Sequence, residues 1–217
     1  MEEIYEINNI IAILIAYLIG SVPSAIWVSK WFFGVDVRDY GSKNAGATNT
    51  FRVIGKKAGF TVLFFDILKG WGAVKLLAYL FAIYPYNSDQ YVNLQLAIGM
   101  TSVIGHVFPI YAGFKGGKGV ATLLGIVLAI NLPAAGLSAI LFFITFLVSR
   151  YVSLGAIVAA IFFPFFTIYI FKAQSPSLIY FSIVISILVI ITHRKNISRL
   201  LNKEEGKMPL NLRFKKE

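Results

Sequence analysis

Cysteine is absent from this 217-residue sequence, and histidine occurs only at His106 and His193. Without a thiol there is no disulfide, no cysteine nucleophile and no thiolate metal site, and two histidines separated by several apolar runs make a poor metal site. No metal and no other cofactor is expected. Acids are scarce, ten against twenty lysines and arginines, which leaves a formal net charge of +10. The basic run from Arg194 to Lys216 is broken by Glu204, Glu205 and Pro209 and lacks aromatic interleaving, so nucleic acid is not an expected partner. Anionic membrane lipids account for such a tail without any enzymatic purpose. A basic segment is also missing ahead of the first apolar run, which instead follows Glu2, Glu3 and Glu6, and no small-residue cleavage pattern closes it. That run reads as a retained helix rather than a secretory signal.

What the sequence has in quantity is apolar length. Charge is nearly missing from seven stretches, 8–29, 59–84, 91–112, 120–132, 134–149, 154–171 and 177–192. About 20 residues at 1.5 Å each are needed to cross a hydrocarbon core. The expectation is therefore an all-α, polytopic membrane protein with seven transmembrane helices. The fourth stretch is short, and either spans in part or runs on through Pro133 as a kinked helix.

The positions of the basic residues orient the chain. Lys30, Arg38, Lys43, Arg52, Lys56 and Lys57 lie between the first two stretches, Lys115 and Lys118 after the third, Arg150 after the fifth, and eight more after the seventh. Lys172 alone lies on the other side, while Lys69 and Lys75 fall inside the second stretch. The positive-inside rule then places the N-terminus outside and the C-terminus in the cytoplasm. An odd number of crossings is required, which seven satisfies and five would also satisfy. The expected organisation is one domain over 1–217, with cytoplasmic loops 30–58, 113–119 and 149–153 and a tail at 193–217.

Two of those loops are rich in glycine and cations. The first, GSKNAGATNTFRVIG at 41–55, offers Ser42, Asn44, Thr48 and Asn49 as short donors and acceptors beside Gly46, and Arg52 as a fork for phosphate. Helix capping explains the small residues equally well, but not Arg52. The second, GFKGGKG at 113–119, leads into the fourth apolar stretch, where backbone N–H groups and a helix dipole favour an anion. It is not a nucleotide-binding Walker A loop, because Ala112 stands where the first glycine belongs and Gly119 where the metal-binding hydroxyl belongs. A tight re-entry turn with a snorkelling Lys118 remains the competing reading of Gly116, Gly117, Lys118 and Gly119.

His193 closes the seventh stretch and Asn196 follows three residues later, on the same face of any helical continuation, where the two would orient a hydroxyl or a phosphate. Capping of the helix end is the competing role for His193. His106, before Val107, Phe108 and Pro109, is read as structural. Asp66 and Lys69, three apart inside an apolar stretch, are read as an internal pair that fixes packing beneath the first loop.

With these residues in view, the chain resembles the bacterial PlsY family of membrane glycerol-3-phosphate acyltransferases, which use acyl phosphate as donor. The resemblance rests on GSKNAGATNTFRVIG at 41–55, GHVFPIYAGFKGGKGVAT at 105–122 and HRKNISRL at 193–200, and covers nearly the whole chain. It implies seven spans, the bacterial inner (plasma) membrane, and an active site facing the cytoplasm. Ser42 and Arg52 are implied to be needed for activity, and Gly116, Gly117, Lys118 and Gly119 to bind glycerol 3-phosphate. His193 and Asn196 are implicated by the third motif, and Ser153 matches a serine of the family's short cytoplasmic link. Lys43 stands where the family commonly has glycine.

The implied reaction joins acyl phosphate to the 1-hydroxyl of glycerol 3-phosphate and yields lysophosphatidic acid and inorganic phosphate. Positioning and charge neutralisation suit such a reaction, because phosphate is a good leaving group. His193 is the one motif residue with a suitable intrinsic pKa for a base, but a substrate phosphate, with a second pKa of about 6, serves as well. An organic-phosphate transporter is the alternative function, since basic glycine loops and broken helices also build anion pathways.

Overall fold

The computed structural model describes residues 2–81, 84–86 and 88–208, with side chains from residue 7 onward. Glu2, Glu3 and Glu6 at one end and Arg213, Lys215 and Lys216 at the other contributed to the expected orientation; those side chains lie outside this description. No strand occurs among the described residues.

Among the described residues every predicted apolar stretch is mainly helical, with local breaks. The first is α1, Glu2–Gly20, followed after a three-residue break by α2, Ser24–Phe33. Pro23 explains that break, since it has no N–H and disfavours a helical residue before it. Loop 1 then folds a 3-10 turn at Val37–Asp39 and a short helix α3, Ala47–Val53. The second stretch is α4, Lys56–Gly72, which passes through a π turn at Ala73–Leu77 into α5, Ala78–Phe81. Ser88 caps α6, Asp89–Val107, by accepting from the Tyr91 N–H at 3.2 Å.

The fourth stretch is α7, Val120–Ile130, and it does not continue through Pro133. Asn131 leaves the helical region and accepts from the Ala134 N–H at 3.2 Å, starting α8, Leu132–Ser149. The chain returns through α9, Val152–Phe165, and a second π turn at Phe166–Ile170. Last come α10, Pro176–Thr192, and α11, Arg194–Leu201, which meet at a bend of 59°.

By length and composition four stretches suffice to cross a membrane: Ile7–Phe33, Asp89–Ala112, Leu132–Ser149 and Val152–Ile170. The pair α10 and α11 adds a fifth if counted as one bent span. Helix α7 fails on length, at about 16 Å, and α4 carries Asp66 and Lys69 within its turns.

Helix α7 is nevertheless enclosed in the bundle, packed against α4, α6 and α8 with none of its residues exposed. Glycine allows the closest of these approaches. A Cβ on Gly125 would overlap the Ile67 carbonyl of α4, and one on Gly70 would overlap the Thr122 carbonyl of α7. Gly20 and Gly105 do the same between α1 and α6 against Ser102 and Tyr17. Such backbone proximity replaces the hydrophobic drive that lipid removes. The outward surface stays apolar, with Phe64, Phe143, Val148 and Ile187 exposed.

Asp66 and Lys69 form the expected pair, 2.7 Å apart, and Asp66 also accepts from Ser24 Oγ at 2.5 Å. Lys69 donates to the Val22 carbonyl at 2.8 Å, so the pair ties α4 to the α1–α2 break beneath loop 1.

Gly125→Val should destabilise the fold by about 2 kcal/mol or more, because neither backbone can recede. Thermal unfolding in detergent checks this, with Gly136→Ala, where a Cβ meets nothing within 4 Å, as the tolerated control.

Candidate active site

Loop 1 is braced from within by Asn49. Its Nδ2 donates to the carbonyls of Val37 at 2.8 Å and Tyr40 at 3.1 Å, while its Oδ1 accepts from the Ser42 N–H at 2.9 Å. Asn49 is 1% exposed, and its hydrogen-bonding capacity goes chiefly into the loop. Gly41, at φ +58°, sits against that amide where a side chain has no room. Lys43 also adopts a left-handed conformation, φ +57°, so a lysine holds the backbone shape that glycine would take more easily. Arg52 projects from α3 and donates to the Gly206 carbonyl at 2.8 Å.

Loop 2 wraps back on the end of α6. The Gly116 and Gly117 N–H groups donate to the carbonyls of Val107 and His106, each at 3.2 Å. Those two amides, offered by the sequence as phosphate donors, therefore satisfy the α6 C-terminus instead. A Cβ on Gly116 would overlap the His106 carbonyl, and one on Gly117 the His106 ring. Anion-binding capacity shifts downstream, to Lys118 and to the opening turn of α7, which no side chain caps.

The third part comes from the bend between α10 and α11. His193 is buried, and its Nδ1 lies 2.8 Å from the Val189 carbonyl. That contact makes Nδ1 the protonated nitrogen and leaves the Nε2 lone pair as an acceptor. Asn196 is likewise buried, but its side chain turns to other groups: Oδ1 accepts from Lys118 Nζ, and Nδ2 donates to Glu205 Oε1 at 2.7 Å.

Glu205 was not anticipated. Its Oε1 also accepts from Ser153 Oγ at 2.9 Å, and its Oε2 from Arg199 Nε at 2.9 Å. One carboxylate thus joins the start of α9, two positions of α11 and, through Asn196, the lysine of loop 2. The neighbouring tail follows the same edge, where Met208 N–H donates to the Arg150 carbonyl at 2.9 Å and Lys207 lies 5.5 Å from the centre of the Tyr151 ring. The available signal was two acids inside a basic tail, which hydropathy registers only as an interruption.

These parts surround a cavity of about 510 Å³. Ser42, Asn44, Gly46, Asn49, Arg52, Lys118, Gly119, Ser153, His193 and Asn196 all line it. Gly116 lines a neighbouring cleft of about 650 Å³ with Asp36, Arg38 and Lys115, while Gly117 packs on His106 behind the loop. Away from the polar rim the walls are apolar, built from Leu63 and Ile67 of α4, Leu124 and Val127 of α7, Phe142 and Phe146 of α8, and Ala156, Ala160 and Phe163 of α9. Small residues along α9 leave the space, and the short α7 forms one wall.

Burial sets the electrostatics of the rim. It pushes Lys118 down to about 8, an effect that Glu205 opposes and that Arg199 and Arg52 reinforce. It pushes His193 down to about 4, with the Lys118 charge adding to the effect, so the imidazole is neutral at neutral pH. Burial would raise the Glu205 carboxyl, but donation from Asn196 and Ser153 and the Arg199 charge outweigh it and the pKa falls.

Glu205→Gln preserves volume but removes the charge facing Arg199, and should cost about 1–3 kcal/mol of stability. Because the folded-state pKa is lowered, the stabilisation that Glu205 supplies is present above its unfolded pKa and is lost as pH falls through the folded one. Unfolding midpoints measured downward from neutral pH should therefore converge for the two proteins.

Comparison with known proteins gives a consistent result. The family model described as glycerol-3-phosphate acyltransferase matches residues 10–203. A glycerol-3-phosphate acyltransferase of Enterococcus faecalis is 42% identical over 214 residues, covering 95% of each chain. One from Staphylococcus aureus is 42% identical over 203 residues, 92% of this chain and 97% of its own. Among solved structures, the glycerol 3-phosphate form of PlsY (YgiH), an integral membrane glycerol 3-phosphate acyltransferase, superposes with a TM-score of 0.82 at 40% identity, covering 93% of this chain and 96% of that one. Its lysophosphatidic acid form gives 0.80 at 38%, with 94% and 97% covered.

Proposed function

The chain belongs to the family of PlsY-type glycerol-3-phosphate acyltransferases, and on that premise we propose that it transfers a fatty acyl group from acyl phosphate to the 1-hydroxyl of glycerol 3-phosphate. The observation that carries this reading is the cavity itself, with cations and hydrogen-bonding groups at one end and phenylalanine, valine and alanine at the other. A substrate with a phosphate head and an acyl tail matches both ends at once. Such a molecule resides in the bilayer and presents its carbonyl where the two surfaces meet.

In the proposed reaction the 1-hydroxyl oxygen bonds to the acyl carbonyl carbon, the bond from that carbon to the donor phosphate oxygen breaks, and inorganic phosphate leaves. The hydroxyl proton passes to a substrate phosphate oxygen. The products are 1-acylglycerol 3-phosphate, which is lysophosphatidic acid, and inorganic phosphate. Arg52 and Lys118 neutralise the two phosphates, assisted by the uncapped N–H groups at the start of α7. Ser42 and neutral His193 hold the glycerol hydroxyls, the latter by accepting at Nε2. Asn196 acts through its neighbour, fixing the Lys118 ammonium, while Ser153 and Glu205 fix Asn196. Rate enhancement then comes from positioning and charge stabilisation, with no acyl-enzyme intermediate.

We further propose seven crossings of a bacterial inner membrane, with the N-terminus outside and the reaction cavity opening to the cytoplasm. The distribution of basic residues supports that orientation. The short α7 is accommodated because it is enclosed by α4, α6 and α8 rather than by lipid.

Reconstituted protein given labelled glycerol 3-phosphate and acyl phosphate should release lysophosphatidic acid and phosphate in equal amounts. Acyl-coenzyme A in place of acyl phosphate should give no product, and label trapped inside vesicles without acylation would instead indicate the transporter.

The pH profile tests the assigned roles separately. Lys118 carries its charge below about 8 and loses it above. kcat/KM for glycerol 3-phosphate should therefore fall on the alkaline side with that apparent pKa, and Lys118→Arg should move the fall to higher pH. The acid limb should lie at about 6, set by the substrate phosphate, and persist in His193→Gln. Its disappearance in that variant would assign the proton to His193.

A further inference from the structure

Beneath loop 2 lies a polar cluster that the reaction as described leaves unused. Asp66 of α4, 1% exposed, has His106 Nδ1 of α6 at 3.6 Å, in addition to Ser24 and Lys69. Thr122 Oγ1 of α7, fully buried, stands 3.2 Å from the same ring nitrogen. Four helices, α2, α4, α6 and α7, thus converge on one imidazole and its carboxylate. Both Asp66 and His106 line the reaction cavity.

His106 in turn grips loop 2 in two ways. Its carbonyl accepts the Gly117 N–H at 3.2 Å, and its ring fills the space beside Gly117 so closely that a Cβ there would strike Nε2. The ring also lies at the limit of contact with a Cβ placed on Gly119, 4.0 Å from Cδ2. The loop needs such a support, because three of its seven residues, Gly113, Phe114 and Gly119, have positive φ and glycine-rich backbone does not hold one shape unaided. Phenylalanine would fill the volume but would leave Asp66 and Thr122 without the nitrogen that stops the ring from turning.

We propose that His106, fixed by Asp66 and Thr122, is a positioning residue for glycerol 3-phosphate: it sets the shape of residues 116–119 so that Lys118 and the first turn of α7 meet the phosphate. The proposal rests on the acyltransferase reading above, and it assigns His106 to one substrate and not to the other. The wall that faces the acyl chain is built from different residues, so a disturbance of His106 weakens glycerol 3-phosphate binding selectively.

The test is steady-state kinetics of reconstituted His106→Ala, His106→Asn and Thr122→Val, varying each substrate at saturation of the other. In His106→Ala the KM for glycerol 3-phosphate should rise by about tenfold or more, while kcat and the KM for acyl phosphate stay within about threefold. His106→Asn, which keeps a hydrogen-bonding group near the Nδ1 position, should recover part of that loss, and Thr122→Val should raise the same KM by about threefold. If His106→Ala does not fold, the other two variants decide by the same criterion. Unchanged KM for glycerol 3-phosphate, or a rise in both KM values together, overturns the proposal while the acyltransferase reading stands. Failure of the unmodified protein to make lysophosphatidic acid overturns both.

Discussion

A binding site for phosphates has to be assembled before any phosphate arrives, and the cations that make it attractive to substrate repel one another. The Glu205 carboxylate resolves that conflict. It accepts directly from Ser153, Asn196 and Arg199, and through Asn196 it reaches Lys118. Arg52 is anchored one residue further on, at the Gly206 carbonyl. Loop 1, loop 2, the start of α9 and the α10–α11 bend are joined at this point, so the polar rim depends on a short stretch of tail that belongs to none of the apolar helices.

The apolar half of the cavity depends on a different constraint. Helix α7 is too short to cross a bilayer alone, and it is held inside the bundle by backbone contact with α4 at Gly70 and Gly125. Its N-terminus consequently ends below loop 2, where Gly119, Val120 and Ala121 line the cavity, rather than continuing outward. One short helix thus supplies both an uncapped N-terminus at the polar rim and an apolar wall. Along α9, Ala156 and Ala160 give way to Phe163, which gives the cavity its volume near the rim and its closure deeper in.

Hydropathy placed the apolar helical stretches, though not the breaks within them, because each stretch is long compared with the few residues at its ends. The first stretch reads as unbroken through Pro23, where the structure divides it into α1 and α2, and the fourth helix stops at Asn131 rather than bending through Pro133, since an Asn side chain able to cap α8 competes with helix continuation. The three motifs were legible as chemistry, and most of their members line one cavity. Gly116 and Gly117 were legible as glycines but not as to their partners. Their amides answer the α6 carbonyls, and nothing in local composition distinguishes that use from phosphate binding.

Two histidines and one glutamate mark the boundary most clearly. The sequence by itself determined an all-helical membrane protein, the location of its basic loops and the class of substrate charge, because these follow from residue type and from periodicity over many positions. Only the tertiary structure decided that Glu205 is the shared acceptor of the rim, that His106 stands behind loop 2 and that His193 is neutral. Each of those properties arises from burial and from partners distant in the chain, and the free energy of a buried charge or hydrogen bond is set by its surroundings rather than by the residue that carries it.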